Sequence, residues 1–504
     1  MATQHPDNAC APWWQADPFV STKAEIDELL LLFHEHAIDE YMWDWEGKYV
    51  DEAVGEKIYS QASEYFSQHP LGEDVHLTYR IPAFDEEKNH RMARAFMNVL
   101  SLADLARDLG LHRPPVTEMF LPLTTAASQP IKVREQFKKV AEYHNAVFHT
   151  DTNRHEMILK LFSVTPLVED IKSMFSIEKI LKPYWESLLA EGKDLTERGQ
   201  RIFLARSDPA LNSGLVPAVL AIKSALSTVY ALAEELGFFV YPLLGTGSLP
   251  FRGSVNPLYT ESFLEQYAGT RTYSIQSAFR YDYDREQMEA ALKRIRSEAP
   301  KYAVVSVPEA DRQRLAEVAA DFSSIWSASI ESLAETINAV SAFVPSRRER
   351  LQHIGLFGYS RGVGKVKLPR AIKFTAALYS LGIPPEVIAT GRGLKRARET
   401  GNMDLIEKYY PALRADLQHA GKYLNRENIH LLAKETSVYK DIEEDIGAIE
   451  EVLGISLVQE KPRHIVHRNL TSTILQRLRS DELGKAEEIE ADIVHAGVLR
   501  RSLG

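Results

Sequence analysis

The sequence predicts an α/β protein: an eight-stranded parallel (β/α) barrel carrying a large additional set of packed C-terminal helices. Three observations lead there. Short apolar or β-branched runs recur roughly every forty residues up to about position 280, and the stretches between them carry helical periodicity. Beyond Tyr281 the pattern turns to long helices alone.

The runs lie at Ala2–Gln4, Tyr41–Trp45, His76–Ile81, Glu118–Thr124, Phe162–Leu167, Ile202–Ala205, Val240–Leu244 and Thr272–Gln276. Eight β/α units close most simply into a barrel. An open doubly wound sheet has the same periodicity and stands as the structural alternative. Between the first two runs, Thr22 and Glu25 fit a capping box, and Ile26, Leu29, Leu30 and Phe33 form one apolar stripe. Later, Leu315, Val318, Phe322, Ile325, Ile330 and Leu333 mark one helix face, with further helices expected near 404–422 and 440–453. No repeat and no Gly/Ser-rich linker separates the halves. The expected division is a barrel over 1–280 and a helical extension over 281–504, packed as one structural unit.

The 504 residues carry 59 Lys and Arg against 70 Asp and Glu, a formal net charge of -11. That excess argues against a nucleic-acid partner, whose binding needs a cationic face. The local exception, Arg392, Lys395, Arg396 and Arg398, reads as the charged side of a helix. No run of roughly 18 apolar residues occurs, so no membrane span is expected. The opening MATQHPDNACAPWW lacks the layout of a secretory signal. The single Cys10 can form neither an intrachain disulfide nor a thiolate metal cluster. A cytoplasmic protein is the expectation.

In a barrel, chemistry gathers at the C-terminal ends of the strands. The polar residues there are His5, Asp44, Glu46, Arg80, Glu169, Arg206, Asp208, Arg252 and Gln276. Buried unpaired they would be costly, whereas an anionic ligand together with a hard divalent cation would satisfy them all. Glu169 and Asp208, from neighbouring strand ends, suit magnesium. They suit salt bridges or helix caps equally well, and Asp208-Pro209 has the pattern of an N-cap followed by proline at N1. In GTGSLPFRG, Gly245 and Gly247 let backbone approach a ligand and Arg252 can grip a phosphate or carboxylate, although such turns are more often structural. This loop fails the dinucleotide-binding spacing. Gly362-Val363-Gly364-Lys365 fails as a phosphate loop because Val366 follows. His5, beside a proline, reads by itself as a surface residue, yet TQHPDN is dense in hydrogen-bonding groups and lies near Trp13 and Trp14, a candidate cover for a cleft.

Taken in order, TQHPDN, WDWEGK, PLVED, LARSDPALNSG, GTGSLPFRG, IQSAFRYDY and LPRAIKFTAALYSLGIPPE resemble archaeal-type phosphoenolpyruvate carboxylases over essentially the whole chain. The resemblance implies a barrel with extra helices, usually assembled as a homotetramer. It implies that bicarbonate is joined to phosphoenolpyruvate, giving oxaloacetate and phosphate with Mg²⁺ or Mn²⁺. By it, His5 is catalytic and Glu169 and Asp208 are the metal ligands. Arg252 and Arg80 serve from the barrel, and Arg370 and Arg361 from beyond it. Arg206, Gly245, Gly247 and Gln276 would contact substrate. Leu211 stands where the larger enzymes have lysine, and Thr246 replaces an arginine; either another cation, with Arg206 the candidate, compensates, or the phosphate is held differently. Another magnesium-dependent barrel enzyme acting on phosphoenolpyruvate or pyruvate is the alternative reading.

Overall fold

Each apolar run forms a strand: β1 (Ala2–Thr3), β2 (Glu40–Asp44), β3 (His76–Arg80), β4 (Glu118–Leu121), β5 (Ser163–Val168), β6 (Gln200–Ala205), β7 (Val240–Gly245) and β8 (Thr272–Tyr273). The computed structural model describes every residue except 37, 48–49, 88, 150–154, 350–361, 364–365, 459–460 and 481–484. The strands pair in chain order, all parallel, in one curled eight-stranded sheet. Past β8, Ile275 bridges Ala2: Thr3 N donates to Ile275 O at 3.2 Å and Ile275 N to Met1 O at 2.8 Å.

Both faces of the sheet are covered, which is why the strands read as continuous apolar runs. Alternation sorts the side chains. On β2, Tyr41 and Trp43 pack outward among helices while Met42 points inward; on β6, Ile202 and Leu204 face outward and Phe203 and Ala205 inward. Met1, Met42, Phe120, Leu167, Phe203 and Leu243 meet in one inner cluster, a convergence that only a curled sheet allows. Below that layer, Arg201 bonds Glu40 at 3.0 and 3.1 Å and Glu118 at 2.7 Å.

A larger hydrophobic cluster unites Leu211, Val219 and Phe251 from the first half with Phe322, Trp326, Phe374 and Ile442 from the second. Its spine is the helix Glu309–Ser341, where Leu315, Val318, Phe322, Ile330 and Leu333 are buried and Ile325 is partly so. Trp326 stacks on Phe251 with ring centroids 5.5 Å apart. A side chain at Gly393 would meet the Phe322 ring at 2.3 Å, so glycine sets how closely those helices approach.

Several expectations shift in detail. The first helix, Thr22–Glu35, is capped by Ser21, whose hydroxyl accepts from Ala24 N at 3.2 Å, one residue before the anticipated capping box. Either hydroxyl can cap, and packing of Leu32 with Ile26 and Leu29 selects the register. The region 404–422 holds two helices, Met403–Tyr409 and Leu413–Gly421, because Pro411 cannot continue the first. The helix Leu215–Leu236 is long and apolar enough by composition to cross a membrane, contrary to expectation; 89% of that window is buried inside the protein, as suits a core helix. Arg392, Lys395 and Arg398 form one side of the helix Thr390–Glu399 and pair with Asp445, Glu444 and Glu451. The stretch around Gly362 contributes a strand pair, Gly362–Val363 with Val366–Lys367.

Candidate active site

At the C-terminal ends of the strands lies a cavity of about 80 Å³. Its wall brings together His5 after β1, Arg80 at the end of β3, Glu169 after β5, Asp208 after β6 and Gly245 at the end of β7. Gln276, Arg252 and Arg370 complete the polar wall, and Leu167, Phe203 and Ile372 supply apolar surface. Parallel strands deliver these groups together because each chain segment leaves the sheet at the same end.

Arg80 is a fixed charge. Its guanidinium forks onto Asp44 at 2.8 and 2.6 Å and reaches Glu46 at 3.0 Å. Burial alone would lower its pKa, but Asp44 and Glu46 more than offset that and hold it well above its ordinary value. Arg370, one-third exposed, approaches the same Glu46 oxygen at 3.6 Å from the start of the helix Ala371–Ser380.

Arg252 is almost wholly buried. It donates to Gln276 Oε1 at 2.6 Å, Gly504 O at 2.5 Å, Ser207 Oγ at 3.2 Å and Asp7 Oδ2 at 3.3 Å. Burial lowers its pKa despite the opposing charges of Asp7 and Asp208, and burial raises that of Asp7 despite Arg252. A bound anion would relieve the cation's incomplete compensation. Glu386 supports the turn from behind, accepting from Phe251 N at 2.7 Å and Tyr379 OH at 2.8 Å. Burial pushes the Glu386 carboxyl up to about 7.

Glu169 accepts from Leu123 N at 2.9 Å. Asp208 lies in the first turn of the helix Ser207–Ser213; Arg206, not Asp208, occupies the capping position. Both carboxylates face the same cavity and offer hard oxygen donors, and His5 is the one imidazole among the described lining residues, with no thiolate beside it. This donor set fits a hard divalent cation.

The segment carrying His5 is tightly held. Asp44 N donates to Gln4 Oε1 at 2.8 Å, and Ser277 donates through both its backbone N and its hydroxyl to His5 O. Arg280, paired with buried Glu28, donates twice to Thr3 O at 3.1 Å. Asp7 accepts from Ala278 N at 2.8 Å and from Leu503 N at 2.7 Å. Asp282 takes Ala9 N and Cys10 N. His5 is therefore half-buried and fixed, not a loose surface residue.

Four anticipated placements differ. The Arg206 guanidinium turns away from the cavity to Tyr267 OH and the carbonyls of Phe251 and Pro250, at 3.0, 3.0 and 3.3 Å. It fastens the Arg252 turn and cannot stand in for the missing lysine or arginine at Leu211 and Thr246. Gly247 is not on the wall; a side chain there would strike the Arg252 guanidinium at 2.8 Å, so this glycine makes room for the arginine. Trp13 packs on His36 and Arg285, and Trp14 donates to Tyr281 OH, so neither covers the cavity. Arg361 lies outside the described residues. Asp7, Ser207 and Gly504 were missed as partners of Arg252. Asp7 was legible within TQHPDN, but nothing local links Gly504 to a strand end.

A family profile described as phosphoenolpyruvate carboxylase matches residues 1–504. Relatives bearing that name include one from Metallosphaera sedula, 36% identical with 100% of this chain and 99% of the relative covered. Another, from Methanothermobacter thermautotrophicus, is 34% identical over the same shares. A third, from Leuconostoc mesenteroides subsp. mesenteroides, is 34% identical over 94% of each chain. Full-length matches to both archaeal and bacterial proteins agree with the ordered motifs and the gathered strand ends: the chain belongs to the phosphoenolpyruvate carboxylase family, in its archaeal-type form.

Proposed function

We propose that this cavity carboxylates phosphoenolpyruvate with bicarbonate, releasing oxaloacetate and phosphate. The observation that carries the reading is the meeting of His5, Glu169, Asp208 and three arginines, from six separate segments, around one small cavity. A bicarbonate oxygen attacks phosphorus, the bond from phosphorus to the enol oxygen breaks, and its electron pair stays on that oxygen. The products are carboxyphosphate and the enolate of pyruvate. Arg252 and Arg370 hold and orient the phosphoryl oxygens, with Arg80 as a fixed positive charge behind them. Glu169 and Asp208 would hold Mg²⁺ or Mn²⁺, which when bound supplies charge for developing anionic oxygens. His5 takes the carboxyl proton of carboxyphosphate. Its carbon–oxygen bond to phosphate then breaks, and the enolate carbon attacks the freed CO₂. Imidazole is the side chain suited to taking a proton at neutral pH. The apolar walls from Leu167, Phe203 and Ile372 limit water, which would otherwise protonate the enolate to pyruvate.

The same reading covers the architecture. The Ala2–Ile275 bridge supports closure of the eight strands into a barrel over 1–280, and the shared cluster around Trp326 supports a helical extension over 281–504 packed on it as one unit. The family resemblance supports a homotetramer, the lone half-buried cysteine a cytoplasmic protein, and the net charge of -11 the absence of a nucleic-acid partner.

His5→Asn with phosphoenolpyruvate, Mg²⁺ and labelled bicarbonate tests the mechanism. Phosphate release should persist and stay bicarbonate-dependent, with pyruvate formed and label absent from oxaloacetate. Undiminished label incorporation would remove His5 from the chemistry.

A further inference from the structure

On the outer side of the sheet, away from the cavity, four side chains able to bind metal converge: Asp104, His144, His149 and His155. Asp104 stands near the end of the helix Asn89–Asp108, and His144 on the last turns of the helix Ser128–Phe148. His149 is the C-cap of the latter helix, and His155 the N-cap of the helix Glu156–Leu161. One donor atom from each lies within 4.8 Å of all the others. We propose that these four residues form a structural site for a first-row transition-metal dication, zinc foremost, separate from the catalytic cavity.

Ring geometry is the strongest support. The three imidazole centroids are 5.0, 5.4 and 5.5 Å apart. Zinc bonds imidazole nitrogen at about 2.0–2.1 Å, the ring centre lies roughly 1.1 Å further out, and tetrahedral angles then put centroids about 5.2 Å apart. The observed ring spacing matches that around one tetrahedral ion. The donor atoms need only tilt inward to reach the separation of about 3.3 Å that such a shell requires.

The hydrogen bonding points the same way. His155 Nδ1 lies 3.4 Å from Ala141 O, while its Nε2 lies 3.2 Å from Asp104 Oδ1. With Nδ1–H given to the carbonyl, neutral His155 turns an Nε2 lone pair toward a carboxylate oxygen. Two lone pairs facing each other need a cation or a proton between them. A carbonyl that fixes the far nitrogen is also how metal-bound histidines are commonly oriented. His149 Nε2 meets Asp104 Oδ2 at 2.9 Å, so the same carboxylate lies between two rings.

Donor type and surroundings select the ion. Three imidazoles with one carboxylate suit zinc and its neighbours, whereas magnesium and calcium favour all-oxygen shells. His144 and His155 are buried, and Asp104 and His149 half-buried. His149 stands at the C-terminal end of the helix Ser128–Phe148, the negative end of its dipole. The spacing His-x4-His-x5-His falls within the range common for zinc ligands. Four protein donors fill a tetrahedral shell, so the ion would join helix ends just ahead of β5, whose far end carries Glu169, without entering the carboxylation chemistry.

The test uses untagged full-length protein, loaded with zinc, dialysed and analysed for metal by mass spectrometry. About one zinc per chain should remain on the wild type and on the Glu169→Ala/Asp208→Ala double variant, and His149→Gln and Asp104→Asn should each retain at least about tenfold less. Cobalt loaded instead should give the intense visible absorption of a tetrahedral site on the wild type. Chelator should lower the wild-type melting temperature and leave that of His149→Gln unchanged. Less than roughly a tenth of a zinc on the wild type would mean that protons alone hold the three rings around Asp104, overturning the site. Zinc kept by His149→Gln, or lost from the Glu169/Asp208 variant, would assign the metal elsewhere and overturn it equally. Should the variants fail to fold, wild-type stoichiometry and the cobalt spectrum decide.

Discussion

The interior of the curled sheet carries charge at both ends, and the two ends treat it differently. At the base, burial draws Glu40 and Arg201 toward neutrality, yet Glu118 and Glu40 together more than offset this for Arg201, and Arg201 with the Met1 amine does so for Glu40: the Glu40 pKa is lowered and that of Arg201 raised. At the mouth, burial wins over Asp7 and Arg252, and both shift toward their neutral forms. Identical chemistry, a carboxylate beside a guanidinium, is thus complete in one place and incomplete in the other. The base is a finished ion network that serves the fold. At the mouth, Arg80 is likewise held charged by Asp44 and Glu46, and the Arg252–Asp7 pair is the one that burial leaves under-compensated.

This contrast can be broken most sharply at the carboxylates. Glu169→Ala and Asp208→Ala should each cut kcat/KM by at least about a thousandfold, equal to about 4 kcal/mol, and raise the magnesium needed for half-activity. Steady-state kinetics over a magnesium titration, with melting curves as a control, checks this; an unchanged titration would mean that the mouth is as structural as the base. At the base the reverse should hold. Arg201→Met leaves buried Glu40 and partly buried Glu118 without their shared guanidinium and should cost about 3 kcal/mol in denaturant unfolding. Its kcat/KM per folded molecule should stay within about twofold of wild type, because the chemistry lies at the other end.

The smallest expected effect concerns Glu386 behind Arg252. Its folded pKa of about 7 lies above the ordinary 4.5, so the folded state binds the proton more tightly. That contribution is fully present below pH 4.5 and is lost as pH rises through about 7. Glu386→Gln should remove the slope, gaining roughly 1–3 kcal/mol on wild type between pH 5 and 7.5. Melting temperatures across that range check it, and parallel curves would show that Glu386 does not titrate there.

Much of the mouth was legible because it follows from one sequence habit. Strands covered on both faces are apolar throughout, so a polar residue at a strand end stands out; Arg80, Glu169 and Asp208 all do. His5 by itself reads as a surface residue, and only the ordered motifs draw it to the site. What was misread follows from side-chain direction. Phe203 and Ala205 point inward, so Arg206 next to them points outward, and period-two counting alone would have turned it from the cavity. Gly247 serves a neighbouring side chain, not a ligand, which spacing cannot reveal. The histidine cluster was half visible as His-x4-His-x5-His, but Asp104 joins it from a separate helix, and only folding supplies that partner.

The anchoring of the first ten residues has a kinetic consequence. Asp7 and Ala9 take partners at Ala278 and Asp282, 271 and 273 positions later. A ribosome adding about 5–20 residues per second needs roughly 15–55 s to make that stretch. Throughout that time His5 has no site to enter, and β2 presents an unpaired edge where β1 will lie. Contacts so distant in sequence form late and slowly. The nascent chain therefore seats His5 at the strand ends among the last steps of folding, and during that delay it is most exposed to mispairing with other chains.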